Sequence, residues 1–310
     1  MRNKFAQKLY KYAVKDKNIF VVAADISPSG DLAKLQKKYP DRFLNIGVAE
    51  QSMIGLCAGL SIMGKKAYAY SISTFSLYRP FEMIRDDLCY QNLPVTVVGM
   101  GAGTIYSSLG NTHMTIEDVS IARSIPNMKI LAPCDPNELE YAVEYSYNNK
   151  KNPIYLRIGK SGEKNFTDNK SEKWVFGKIR KIQRGQRIAI LSYGPIIKYA
   201  FKVSSYLTQK LNIKPNIYSC HTLKPFDIKG LIKIFKNNDV LCIIEDHSII
   251  GGLSSIVKQA LFEESKQKKI CFFSLKDEFL NEYSNQENLL EKHGITPTKI
   301  FNKIKKLLND

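Results

Sequence analysis

Phe43-Leu44-Asn45-Ile46-Gly47-Val48-Ala49-Glu50-Gln51 carries the chain from an apolar β-type run into a nearly all-apolar helix over residues 52–63. Met53, Ile54, Leu56, Cys57, Ala58, Leu60 and Ile62 fall on most faces of that helix, which predicts a core element with one carboxylate, Glu50, at its mouth. The same unit of strand then helix recurs on both sides of it. Strand-type runs lie at 19–23, 43–48, 67–71, 95–99, 129–132 and 154–158, and helical periods fit at 32–38, 51–63, 80–91, 117–125 and 136–147. Such alternation specifies an α/β domain with a parallel sheet and crossover helices. Pro80 suits a first helical turn, and Asp135-Pro136 reads as an N-cap followed by proline at N1.

Residues 160–173 are almost wholly polar and break both periodicities, which marks a linker between a domain at 1–160 and a smaller α/β domain at 174–310. In the second, strands are expected at 188–192, 217–219, 240–245 and 270–274, with a closing helix at 298–308. The length of 310 residues suits two domains. A net charge of +17 comes from lysines spread along the whole chain, without a recognition motif, and reads as compositional bias instead of a nucleic-acid surface. Six cysteines lack any C-x-x-C spacing and most sit in apolar runs, as buried thiols do in a reducing compartment. With no apolar h-region at the start and no run of roughly 18 apolar residues, a soluble cytoplasmic protein without a membrane partner is expected.

Ligands of such a sheet bind outside the carboxyl ends of its strands. Asp25, the segment from Gly47 to Glu50, Thr74-Phe75, Gly101 and Arg157 all fall there. Burial would raise the pKa of Glu50 and suit it to proton donation, although a helix first turn favours a glutamate in any case. Gly99-Met100-Gly101-Ala102-Gly103 superficially resembles a dinucleotide loop, but no helix follows it promptly. His113 lies in a loop before a helix, where an imidazole can reach into a site or simply be satisfied locally. His221, His247 and His293 read as structural. Phe75 and Tyr78 offer aromatic faces beside a strand end; each alone fits core packing, while together with Glu50 they would frame a flat heteroaromatic ring.

Gly47-Val48-Ala49-Glu50-Gln51, Ser73-Thr74-Phe75, Ile84-Arg85-Asp86-Asp87 with Tyr90-Gln91-Asn92-Leu93, and Thr112-His113 with Ile116-Glu117-Asp118 and Ile125-Pro126-Asn127-Met128 follow one another in an order that resembles the transketolase family. More narrowly, the chain looks like the C-terminal subunit of a split transketolase, and Glu245-Asp246-His247 with Gly251-Gly252-Leu253 extends the likeness to its end. The resemblance implies a pyrimidine-binding domain followed by a transketolase C-terminal domain, thiamin diphosphate as cofactor, and transfer of a two-carbon ketol unit from a ketose to an aldehyde. It implies that Glu50 bonds a pyrimidine ring nitrogen as a catalytic acid, that Phe75 stacks the ring, that Tyr78 is a neighbouring pocket aromatic, and that Asp25 is a cofactor-side acid. Ser29 and Arg157 match phosphate contacts of the sugar substrate, and His113 matches a catalytic contact to a donor hydroxyl. The G-D-G signature of a Mg²⁺ and diphosphate site is missing, so no metal ligands are expected here. Cofactor diphosphate and Mg²⁺ would then be held by a separate N-terminal subunit, in an α2β2 heterotetramer.

Two departures bear on the substrate. The family commonly has a phosphate-binding His where Gly101 stands and a sugar-binding Asp where Leu109 stands. A β subunit of a 2-oxo acid dehydrogenase or of a decarboxylating acyl-transfer enzyme would share the fold and the glutamate, while the motifs at Thr112-His113 and Ile125-Pro126-Asn127-Met128 favour transketolase. A scaffold that has lost activity is opposed by the intact Glu50 and Phe75.

Overall fold

The computed structural model describes residues 1–262, 269–281 and 283–309. Helix α1 (Arg2–Lys15) comes first and buries Phe5, Ala6, Leu9 and Ala13, an element that the alternation of strands and helices does not include. Strands β1 (Ile19–Ala23), β2 (Phe43–Asn45), β3 (Lys66–Ile72), β4 (Thr96–Met100), β5 (Lys129–Leu131) and β6 (Ile154–Ile158) pair in parallel in the order β5-β6-β4-β3-β1-β2. Between them run α2 (Asp31–Lys38), α3 (Glu50–Ile62), α4 (Ser73–Leu77), α5 (Phe81–Met83), α6 (Asp118–Ser124) and α7 (Pro136–Asn148). Strands β4 and β6 are buried along their whole length, as runs with helices on both faces must be. Because the chain steps from β1 out to β2 and returns with β3 on the other side of β1, the winding reverses between β1 and β3. That reversal opens a crevice at their carboxyl ends, next to Asp25 and Ser73.

Two helices differ from the sequence expectation. The helix expected at 80–91 forms over 81–90 but changes its winding: Pro80 caps α5, and Ile84–Tyr90 continues it as a π-helix. Helix α3 buries one face only, with Glu50, Met53, Ile54, Cys57 and Ala58. Leu56 and Ile62 point outward with Val48 and Met63, the last two 66% and 74% exposed, since nothing among the described residues packs against that side.

The second half contributes β7 (Arg180–Gln183), β8 (Ile188–Ser192), β9 (Asn216–Ser219), β10 (Thr222–Lys224), β11 (Val240–Ser248) and β12 (Lys269–Leu275), with α8 (Ile197–Leu211), α9 (Ile228–Lys236), α10 (Leu253–Ala260), α11 (Gln286–Lys292) and α12 (Pro297–Asn309). Its sheet has the order β12-β11-β8-β9-β7, parallel except for β7. Strand β10 leaves that sheet and pairs antiparallel with β5, closing an edge of the first sheet. The polar stretch at 160–173 has no regular element but is tied down: Phe166 N, Thr167 N and Thr167 Oγ1 donate to Asp135 Oδ2 at 2.7, 2.7 and 2.8 Å.

Candidate functional site

Gly47 turns the chain out of β2 with φ +72°, a conformation glycine adopts without strain, and its N–H donates to Asn45 Oδ1 at 3.2 Å. The turn delivers Glu50 as the first residue of α3, where unpaired helix N–H groups favour an anion. Its side chain is 4% exposed. The charge is met by Arg79, whose Nη1 donates to Glu50 Oε1 at 2.9 Å. Arg79 also lies over the Phe75 ring, its guanidinium carbon 4.3 Å from the ring centroid. Phe75 comes from α4 at the end of β3 and meets His113 edge to face, with centroids 5.2 Å apart at 75°. His113 Nδ1 shares a hydrogen with Thr112 Oγ1 at 3.0 Å. Glu50, Phe75 and His113 therefore form one constellation, and Arg79, which no sequence motif singles out, joins the first two. The spacing offers a signal, because Arg79 stands four residues after Phe75, one helical turn on.

A second group lies at the ends of β1, β4 and β6. Asp25 is exposed and held at φ +44°, a left-handed conformation that an aspartate tolerates better than most side chains. Arg2 Nη2 donates to Ser27 O at 2.8 Å, and its backbone N–H donates to Lys160 O at 3.0 Å. Arg2 Nε and Ser29 Oγ are buried without a hydrogen-bond partner among the described residues, which is uncommon for polar atoms out of contact with water. Burial pushes the Tyr70 hydroxyl up, and the adjacent Arg2 charge draws it back. Lys160 Nζ stands 4.8 Å from the Tyr106 ring centroid, and that ring lies 6.5 Å from His113. Tyr106 packs directly on Gly101, where a side chain would collide with it. The ring thus fills the room left by the expected imidazole, and Leu109 stands half-exposed nearby in sequence.

Arg157 lies elsewhere. Its Nε donates to Asp118 Oδ2 at 2.8 Å and its Nη2 to Asp246 Oδ1 at 3.3 Å, and the side chain is 1% exposed. Asp118 belongs to the first domain and Asp246 to the second, so the fork clamps the two together and presents no open face to a substrate. Burial pushes the Asp246 carboxyl above its ordinary range, against the pull of Arg157. His247 Nε2 is 3.8 Å from Asp118 Oδ1 in the same buried cluster. Glu245 accepts the N–H groups of Leu253 and Ser254 at 2.7 and 2.9 Å, capping α10. At the end of β6 the residue that does remain exposed is Lys160, three positions on. Tyr78 is likewise committed: its hydroxyl donates to Glu117 Oε2 at 2.8 Å and is pushed far up by burial and by the Asp118 and Glu117 charges.

A buried carboxylate and a half-buried aromatic face, bridged by a planar cation, fit the edge and face of a protonatable aminopyrimidine. Among the described residues, no three or more His, Cys, Asp or Glu side chains are grouped to hold a metal ion.

Residues 1–162 match the family described as transketolase, pyrimidine binding domain, and residues 177–300 match the transketolase C-terminal domain. A chain of Methanocaldococcus jannaschii described as a transketolase C-terminal section is 33% identical over 98% of this chain and 95% of that protein. One of the subunits of the apulose-4-phosphate transketolase of Phocaeicola vulgatus is 28% identical over 96% of each chain. The 6-deoxy-6-sulfo-D-fructose transketolase subunit of Clostridium sp. strain MSTE9 is 29% identical over 97% of this chain and 92% of that one. A solved split-gene transketolase, described as an inactive β4 tetramer, superposes with a TM-score of 0.87 at 29% identity, covering 99% of this chain and 98% of that one. The chain belongs to the transketolase family, as a counterpart of the C-terminal subunit of split transketolases.

Proposed function

We propose that this chain is the pyrimidine-binding half of a two-chain, cytoplasmic transketolase. It transfers a two-carbon ketol unit from a ketose to an aldehyde, with thiamin diphosphate bound between it and a partner that holds the diphosphate and Mg²⁺ in an α2β2 assembly. The observation that carries this reading is the Glu50 carboxylate set beside the Phe75 face, with His113 at the ring's edge. When bound, thiamin diphosphate supplies the carbon nucleophile that breaks and remakes the bond beside a ketone. Glu50 holds and donates a proton at its carboxyl oxygen toward a ring nitrogen, Phe75 orients the ring by stacking, and His113 hydrogen-bonds a donor hydroxyl.

The substrate is an anionic sugar. Arg2 and Lys160 bring positive charge to the ends of β1 and β6, and the Arg2 Nε and Ser29 Oγ atoms lack partners among the described residues. Two relatives are named for sugars with a phosphate or a sulfonate, which supports the same class. Lys160 takes the role that the family resemblance gives Arg157. Next to Glu50, the exposed apolar side of α3 with Val48, Leu56, Ile62 and Met63 is suited to burial against the partner chain. Six free, buried cysteines suit a reducing compartment, and no helix among the described residues is long and apolar enough to cross a membrane.

The test is Glu50→Gln in the native assembly, assayed with a ketose phosphate and with pyruvate as donors. Turnover with the ketose should fall on the order of 10²-fold or more, the loss expected for an acid–base group. Turnover within a few-fold of wild type, or a preference for pyruvate, overturns the assignment.

A further inference from the structure

The two groups offered to the cofactor ring are both engaged by Arg79. Its guanidinium donates to Glu50 Oε1 at 2.9 Å, and its guanidinium carbon lies over the Phe75 ring, 4.3 Å from the centroid. An aminopyrimidine with its edge on the carboxylate and its face on the ring needs the same oxygen and the same aromatic surface. A guanidinium is flat and delocalised, carries N–H donors in its plane and stacks on aromatic faces, so it reproduces both contacts at once. Resting on the reading above, we propose that Arg79 is a stand-in for the cofactor pyrimidine: it neutralises Glu50 and covers Phe75 in the isolated chain, and the ring binds by displacing it.

Three features make the exchange feasible. Glu50 is 4% exposed, so a bare carboxylate there would be a nearly buried, unpaired charge, and something must pair with it until the ring arrives. Arg79 is 47% exposed, so its long side chain can swing into solvent without opening the core. It also springs from the turn after α4, one helical turn beyond Phe75, so the swing requires side-chain rotation only. Displacement removes one cation from the pocket, and the partner chain meets a freed Arg79 on its outer rim.

Thiamin, which carries the pyrimidine but no diphosphate and therefore needs neither Mg²⁺ nor the partner, is the probe. Its binding to the purified chain is measured by titration calorimetry for wild type, Arg79→Ala, Arg79→Lys and the Arg79→Ala, Glu50→Gln double variant. Arg79→Ala should bind thiamin roughly tenfold more tightly, the factor that about 1.4 kcal/mol of lost competition gives. Arg79→Lys, which keeps the charge on Glu50 but loses the flat stack, should fall between. Equal or weaker binding by Arg79→Ala, including the case in which neither protein binds, overturns the stand-in. The double variant separates the two ideas. If Glu50→Gln weakens thiamin binding although Arg79→Ala gave no gain, only the stand-in fails. If Glu50→Gln has no effect on a tightly binding Arg79→Ala protein, the pyrimidine reading of the pocket fails.

Discussion

Replacing Arg157 with methionine tests whether this guanidinium serves the substrate or the fold. The change keeps much of the side chain's bulk and removes both hydrogen bonds, leaving Asp118 and Asp246 buried without their guanidinium, with the His247 ring 3.8 Å from Asp118. Deleting one member of a buried ion pair typically costs about 3–5 kcal/mol, because the abandoned charge cannot be solvated. Against a total stability on the order of 5–15 kcal/mol for a typical domain, that is about a fifth of the margin or more. Urea denaturation followed by circular dichroism should show a lower midpoint, since the fork joins Asp118 to Asp246 across the two halves. The loss should shrink on acidification. Burial already holds the Asp246 carboxyl above its ordinary value of 3.8, and without Arg157 the rise grows. A carboxyl raised in the native state penalises folding only while it is ionised there, so the penalty fades as pH falls through its folded pKa toward 3.8. A variant with a wild-type midpoint and a raised KM for the sugar donor would refute the clamp and return Arg157 to the substrate.

Other perturbations test separate parts of the architecture. Burial pushes the His221 imidazole below its usual 6.5 despite the pull of Glu138, so the native state resists its protonation; stability should be complete above pH 6.5 and decline as pH falls toward the lowered value. His221→Phe, which retains the stack on Trp174 at 4.7 Å, should flatten that acid limb by up to about 1.4 kcal/mol per pH unit, and an unchanged limb would show that other groups govern it. Gly101→Ala forces a side chain into φ +69° against the Tyr106 ring, so a loss of about 1–3 kcal/mol and a raised KM for anionic donors are expected; wild-type values for both would remove Tyr106 from the site. Leu56→Lys with Ile62→Lys, on the outward side of α3, should leave the urea midpoint within about 0.5 kcal/mol of wild type while abolishing co-elution with the partner chain. Retained co-elution would place the interface elsewhere.

The strands can be read from sequence because burial on both faces leaves continuous apolar runs, and β1 and β6 fall at the expected residues. Glu50 is legible for the opposite reason: a lone carboxylate at the start of an apolar helix stands out. What the pattern conceals depends on contacts between distant segments. Strand β10 has three residues and borrows its partner from the other domain, so no local period announces it. Arg157 occupies a strand end, as a substrate ligand would, and only the arrival of Asp246 from 89 residues away turns it inward. The outward face of α3 looks like core because an exposed apolar residue on a helix reads the same in sequence as one already packed.

These placements limit what can change when the site is completed. The buried Arg157 fork, the antiparallel pairing of β10 with β5, and the Ser248 N–H donated to Ile116 O at 2.7 Å hold the two domains in one relation. Gly47 and Glu50 follow β2 and Phe75 follows β3, the two strands that flank β1 in one sheet, whose close packing resists gradual deformation. Of the groups around Glu50 and Phe75, Arg79 is the half-exposed one on a long, rotatable side chain, and in the proposed exchange both of its contacts pass to a flat ring. Under the proposed function, a partner chain would supply the diphosphate side and cover α3 without reshaping the residues set to meet the ring.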